Sequence, residues 1–150
     1  MLSKRAKYAL KALEYIAKNE KQGPLQISKI SEGQMIPKKF LEAILVDLKQ
    51  LGIITSKKGK GGGYYLIRKP QDISLADIIR HVDGAIALIP CVTYKYYQPC
   101  THCKDEITCG IRSIIKDIRD ETVNILKNIK LSDILEREEN LIKEHTKKMI

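Results

Sequence analysis

Cys91, Cys100, Cys103 and Cys109 are the only cysteines of the chain, and all four fall within residues 91–109. The same stretch holds Pro99 and His102, with Pro90 just before it. A short loop of this kind lies at the surface and cannot bury four thiols as core filler. Sulfurs gathered this way ligate a metal, pair as disulfides, or work as a redox dithiol. Cys100-Thr101-His102-Cys103 has dithiol spacing, but the βαβ setting that a dithiol oxidoreductase needs does not surround it. The chain starts Met1-Leu2-Ser3-Lys4-Arg5 without an apolar secretory core, and no apolar run approaches the ~18 residues of a membrane span. A cytoplasmic protein without membrane attachment is expected, and in a reducing compartment stable disulfides are uncommon. Metal ligation is therefore the leading reading. Thiolates suit zinc and iron–sulfur clusters alike, and spacing alone does not separate them. Lys95 and Lys104 stand nearby to favour the thiolate form.

The elements that must carry this segment begin with an uneven charge. Residues 1–69 hold 15 Lys and Arg against 5 Asp and Glu, a net +10, while residues 70–150 hold 12 against 13, a net −1. A cationic first half points to a polyanionic partner, most often nucleic acid. Ser3 is placed to cap a helix whose apolar stripe is Ala6, Ala9, Leu10, Leu13, Ile16 and Ala17. After Gly23-Pro24, a short second helix is marked by Leu25, Ile27 and Ile30 and is expected to break at Gly33. Pro37 then opens a third helix with Phe40, Leu41, Ile44, Leu45 and Leu48 as its buried stripe, stopped by Gly52. Two short helices joined through a glycine match a helix-turn-helix. Its leading turn carries Lys38 and Lys39, with Glu42, Val46 and Lys49 on the exposed side.

The segment after Gly52 separates this plan from an ordinary three-helix bundle. Ile53-Ile54-Thr55-Ser56 reads as a strand and Tyr64-Tyr65-Leu66-Ile67 as its return. Between them stand Lys57, Lys58, Gly59, Lys60, Gly61, Gly62 and Gly63, a basic hairpin tip. Glycines here allow positive φ and a close approach to a DNA backbone or minor groove. A phosphate cradle is excluded, because Lys60 is followed by Gly61 rather than Ser or Thr, and Tyr64 stands where a dinucleotide fingerprint needs Gly. The fold expected is mostly α with a small β-hairpin wing: a winged helix-turn-helix that binds double-stranded DNA through Lys38, Lys39, Glu42, Lys57, Lys58, Lys60, Gly61 and Gly62.

In the second half, Ser74 caps a short helix stopped by Gly84, and from Gly110 a longer helix presents Ile111, Ile114, Ile115, Ile118, Thr122, Ile125 and Ile129. A helix of ~20 residues spans ~30 Å and needs an equally long partner for its apolar stripe. It is read as a dimerisation helix, with Ile111, Ile114, Ile115, Ile118 and Ile125 at the interface of a homodimer. The resulting division is a DNA-binding domain at 1–83, a cysteine-rich loop at 84–109, a dimerisation region at 110–135, and a charged helix or frayed tail at 136–150. No paired carboxylates or nucleophile motif suggests an enzyme.

These motifs together resemble the Rrf-type winged-helix transcriptional regulators, the group that includes the iron–sulfur regulator IscR, the nitric-oxide sensor NsrR and the cysteine-metabolism repressor CymR. The resemblance covers about residues 1–135 and rests on Lys7-Tyr8-Ala9, Phe40-Leu41-Glu42, the wing from Ser56 to Tyr64, and Ile73-Ser74-Leu75-Ala76-Asp77-Ile78. It implies a homodimer on a partly palindromic operator, with a [2Fe–2S] cluster tuning DNA affinity in the sensor members, as repressor or activator. It implies Cys91, Cys103 and Cys109 as three cluster ligands. Cys100 lies in an insertion, and Arg112 stands where IscR-like members place a histidine, so the fourth ligand is open between Cys100, His102 and a residue of the partner's first helix. The family's wing arginine appears as Lys58, and Glu42 matches a base-contact position. A regulator with structural zinc or no metal, sensing through a protein partner, is the competing expectation.

Overall fold

A computed structural model describes residues 2–148. The expected Ser3 cap is present: its hydroxyl accepts from the Ala6 N–H and opens helix α1, Lys4–Lys18. Helix α2 (Ile27–Gln34) and helix α3 (Lys38–Gln50) follow, then strands β1 (Ile54–Lys57) and β2 (Gly63–Leu66), helix α4 (Leu75–Val82), helix α5 (Gly110–Asn128) and helix α6 (Leu131–Lys148). The architecture is the expected one, mostly helical with a two-stranded antiparallel wing. No helix among the described residues is long and apolar enough to cross a membrane.

The core sits where α1, α2 and α3 meet beneath the hairpin. Ala9, Ala12, Leu13 and Ile16 of α1 pack with Ile30, Leu41, Ile44, Leu45, Leu48 and Ile53, all buried. Each Leu or Ile side chain removed from water this way contributes about 1.5–3 kcal/mol. Two details depart from the pattern-based expectation. Phe40 is 57% exposed, its ring meeting Tyr8 edge-on at 6.4 Å, because the stripe of α3 that faces the core begins at Leu41. Gly33 does not break α2; it lies inside the helix, where an added Cβ would fall 2.5 Å from the Tyr15 ring. The break comes at Met35, which takes the left-handed conformation at φ 52°.

The wing is pinned as well as paired. Ile54 faces Leu66 and Lys57 faces Gly63 across the hairpin. Leu25 and Tyr64 exchange both backbone hydrogen bonds, at 2.9 and 2.8 Å, which ties β2 to the entry of α2. Gly63, at φ 154°, leaves no room for a side chain, since a Cβ would lie 2.4 Å from the Leu25 backbone. Gly63→Ala is therefore expected to cost about 1–3 kcal/mol, because backbone rather than a flexible side chain must yield. Urea denaturation checks this, and parental stability in the variant would show that the wing is not held at Leu25.

The second half returns to the first. The Ser74 hydroxyl caps α4, Leu75 N–H donates to Ile129 O, and Leu131 N–H donates to Ile73 O. Leu131 thereby joins the core as a fully buried residue. Helix α6 then runs unbroken to Lys148 against α1, with Lys18 paired to Glu138. The boundary expected between 135 and 136 falls inside this helix; Met149 and Ile150, the end of the expected tail, lie outside the described residues.

Helix α5 is two-sided, which its isoleucine periodicity did not reveal. Ile111, Ile114, Ile118 and Ile125 are 44–73% exposed, whereas Ile115 is half-buried, toward the side where Arg119, Val123 and Leu126 pack. Ile115 thus departs from the exposed isoleucine stripe, because its position on the helix turns it toward the domain.

Candidate functional site

The turn between α2 and α3 is closed from within. Ser31 Oγ donates to Ile36 O at 2.6 Å and Ile36 N–H returns to Ser31 O at 3.0 Å, which sets the angle at which α3 leaves. Lys38 and Lys39 occupy its exposed first turn, with Glu42 and Val46 further along. Lys49 Nζ donates to Ser56 Oγ at 2.9 Å and couples α3 to the wing. At the end of β1 and in the turn after it, Lys57, Lys58 and Lys60 are exposed. Arg5 and Lys18, by contrast, pair with Asp47 and with Glu14 and Glu138. Among the described residues Lys38, Lys39, Lys57, Lys58 and Lys60 form no ion pair. Their charge is uncompensated by the protein, which suits a polyanion.

Gly61 is exposed at the tip with φ 77°. Gly62 departs from expectation. It is buried in the turn, its N–H donating to Gly59 O at 2.9 Å, and a Cβ would lie 2.3 Å from Lys57 O. Gly62 therefore closes the tip and presents no surface. Met35, which no charge pattern marks, is 85% exposed at the corner between α2 and α3.

The cysteine segment is built around the start of α5. Cys109 is its cap residue, Sγ accepting from the Arg112 N–H at 3.4 Å. That N–H holds the Cys109 thiol below its ordinary pKa, and the Cys103 side chain adds to this against the opposing cost of partial burial. Cys103 is shifted the other way, upward, by partial burial and then by its thiol's interaction with Cys109. The two sulfurs thus share one environment, with the negative charge favoured on Cys109. The loop joining them is shaped by Asp105, whose carboxylate accepts from Ile107 N–H, Thr108 N–H and Thr108 Oγ1 at 3.1, 3.2 and 2.8 Å. The same bonds hold the Asp105 pKa low.

Cys91 is linked to the same helix start by its backbone. It is buried in a short 3-10 turn, Pro90–Val92, and its carbonyl accepts from Arg112 Nε at 3.2 Å. Arg112 also lies 3.7 Å from Glu106, which in turn accepts from Tyr97 OH at 2.5 Å, a contact that raises the Tyr97 pKa. Arg112 therefore ties the Cys91 backbone to the loop bearing Cys103, a role its sequence position alone did not indicate. Cys100 and His102 are exposed, with Cys103 N–H bonded to Cys100 O at 3.3 Å. Among the described residues no three His, Cys, Asp or Glu side chains converge as a metal-binding group. The donor set itself is thiol-rich and sits at a helix N-terminus, whose partial positive charge favours thiolate. That chemistry fits an iron–sulfur or zinc centre.

Comparison with known proteins bears on these surfaces. Residues 2–137 match a family described as "Rrf2: Iron-dependent Transcriptional regulator". An rrf2-like HTH-type transcriptional regulator of Rhodobacter capsulatus is 37% identical over 138 residues, covering 90% of this chain and 92% of the relative. The HTH-type transcriptional regulator IscR of Escherichia coli is 29% identical over 140 residues, covering 93% and 83%. In structure, the global cysteine regulator CymR of B. subtilis superposes with a TM-score of 0.74 at 24% identity, covering 91% of this chain and 97% of its own, a likeness of fold. These relatives are regulators, not enzymes.

Proposed function

We propose that this chain, which belongs to the Rrf2 family of transcriptional regulators, is a cytoplasmic homodimer that binds a partly palindromic DNA operator and tunes its affinity through a [2Fe–2S] cluster. The observation that carries the DNA-binding part is the set of exposed lysines without ion pairs on the leading turn of α3 and on the wing. In this reading Lys38, Lys39, Lys57, Lys58 and Lys60 meet phosphates, Gly61 lets the wing tip approach the backbone, and Glu42 reads a base edge. The exposed isoleucines of α5 support a second copy on that face, setting two heads on half-sites roughly 34–36 Å apart.

Cys91, Cys103 and Cys109 would hold the cluster, with Cys100, His102 or a residue of the partner's first helix as the fourth ligand. When bound, such a centre supplies reversible electron transfer and sensitivity to oxidants. The chain's own part is positional. Arg112 fixes the Cys91 turn against the first turn of α5, and Asp105 shapes the loop that presents Cys103 beside Cys109. Ligation at this point links the 84–109 segment to the helix that carries the isoleucine face. A change there can shift the relative setting of the two heads only by the difference in ligand affinity between the two settings.

Titration of labelled duplex at a series of salt concentrations tests the DNA reading. Affinity is expected to fall steeply with salt, each lysine–phosphate contact adding about 0.9 to the slope of log K against log salt. Lys58→Ala and Lys60→Ala should each lower the slope, as should Lys38→Ala and Lys39→Ala, while Glu42→Ala should change sequence preference instead. Weak binding to every duplex, insensitive to salt, would end this reading.

A further inference from the structure

Between α4, the segment after Gly84 and the inward side of α5 lies a cavity of about 600 Å³, in the ~300–1,000 Å³ range of small-molecule sites. Its wall is cationic, with Arg68, Arg80, Lys95 and Arg119 against one carboxylate, Asp77. The first half's excess of lysine does not explain this, because three of the four cations belong to the nearly neutral second half.

Arg119 is the decisive residue. It is 5% exposed, far from the usual setting of a guanidinium. Its Nη1 donates to Val92 O at 2.5 Å, and its guanidinium carbon lies 4.2 Å from the centre of the Tyr94 ring. Its Nε is buried without a hydrogen bond: the Asp120 carboxylate stands 2.7 Å away but off the N–H axis. Asp120 and the Val92 carbonyl take up part of this guanidinium, and Arg68, Arg80 and Lys95 leave the cavity wall with an excess of positive charge that an anion offsets. The planar fork of arginine suits two oxygens of a carboxylate or phosphate. Tyr94 and Tyr96 line the same cavity and offer aromatic faces to the body that carries the anion.

We propose that this cavity binds a small organic anion, a carboxylate or phosphate on an apolar or aromatic body, with Arg119 as its anchor and Arg80 and Lys95 closing over its charge. Val123 lines this cavity from the side of α5 turned away from Ile118 and Ile125, while Arg119, next to Ile118 in the chain, also borders the neighbouring groove that Ile118 lines. Arg68 follows the wing, Arg80 lies on α4 and Arg119 on α5. An anion held by Arg80 and Arg119 bridges α4 and the long helix. This makes the cavity an effector site separate from the thiols.

The test uses the full chain without DNA or added metal, so its outcome is independent of the DNA and cluster readings. Phenyl phosphate and benzoate are titrated at constant ionic strength, with benzyl alcohol as the neutral control, and tyrosine fluorescence and the arginine Nε–Hε NMR signals report binding. The expected result is a saturable response to at least one anion and none to the alcohol. The tighter of the two anions identifies the charge class. Arg80→Gln combined with Lys95→Gln, both exposed positions, should weaken binding about tenfold or more with the melting temperature unchanged. Arg119→Gln should abolish it, and the surface double variant keeps the test valid if that buried substitution impairs folding. No saturable response to either anion, or equal binding by the double variant, overturns the proposal.

Discussion

Protein reconstituted anaerobically with iron and sulfide is expected to turn red-brown, and Cys91→Ala, Cys103→Ser and Cys109→Ser are each expected to remove that absorbance. The choice of residue is set by the local structure. Cys109 caps α5 through its sulfur, so serine keeps an acceptor for the Arg112 N–H while removing the thiolate. Cys91 is buried, so alanine avoids placing an unpartnered hydroxyl there, at a cost of about 1 kcal/mol for the lost volume. Circular dichroism should therefore show parental helix content in all three. DNA affinity of the variants should equal that of the apo parent. Cys100→Ala discriminates the fourth ligand: loss of colour assigns it to Cys100, and a retained but shifted spectrum assigns it to His102 or the partner. A parent that takes up zinc stoichiometrically and stays colourless would replace the sensor reading with structural zinc. Unchanged spectra in every cysteine variant would remove these residues from the site altogether.

Ile118→Asp is expected to convert the protein from dimer to monomer in sedimentation. Ile118 is 44% exposed at the middle of the stripe formed with Ile111, Ile114 and Ile125. A carboxylate there would be buried without a partner in the paired state, costing about 2–4 kcal/mol of association, or roughly 30- to 1,000-fold in dissociation constant. The monomer itself should keep its stability, because the side chain contributes nothing to the core around Leu13 and Leu45. Ile115→Asp serves as the contrast: it is half-buried on the side toward Arg119, so its main effect should be on folding rather than association. A parent that is monomeric at tens of micromolar would refute the interface.

Much of the fold was legible in the chain because its signals are local. Ser3 and Ser74 cap the helices they precede, and Gly52 and Gly84 take the positive φ that ends α3 and α4. The lysine–glycine run between two β-rich segments could only be a hairpin tip, and it is one, shifted by a residue at each strand. The family was likewise legible in motifs of a few consecutive residues.

The sequence by itself determined which residues share a face and where helices and turns begin; the tertiary structure decided which face is covered, and by which neighbour. Periodicity put Phe40 with Leu41 and Ile44, but neighbouring elements cover α3 only from Leu41 onward. It joined five isoleucines into one interface, yet α4 and the Pro90–Val92 turn pack on one side of α5 and draw Ile115 inward with Arg119. The cysteine site shows the same division. Spacing gathered the thiols into one segment, whereas the pairing of Cys103 with Cys109 depends on the Asp105 loop. The link from the Cys91 backbone to the start of α5 is a bond from Arg112, 21 positions along the chain. Burial of Arg119 against Val92 and Tyr94 left no trace in composition or spacing. Contacts of that range are set by how helices settle against one another, and a one-dimensional pattern carries the faces but not their partners.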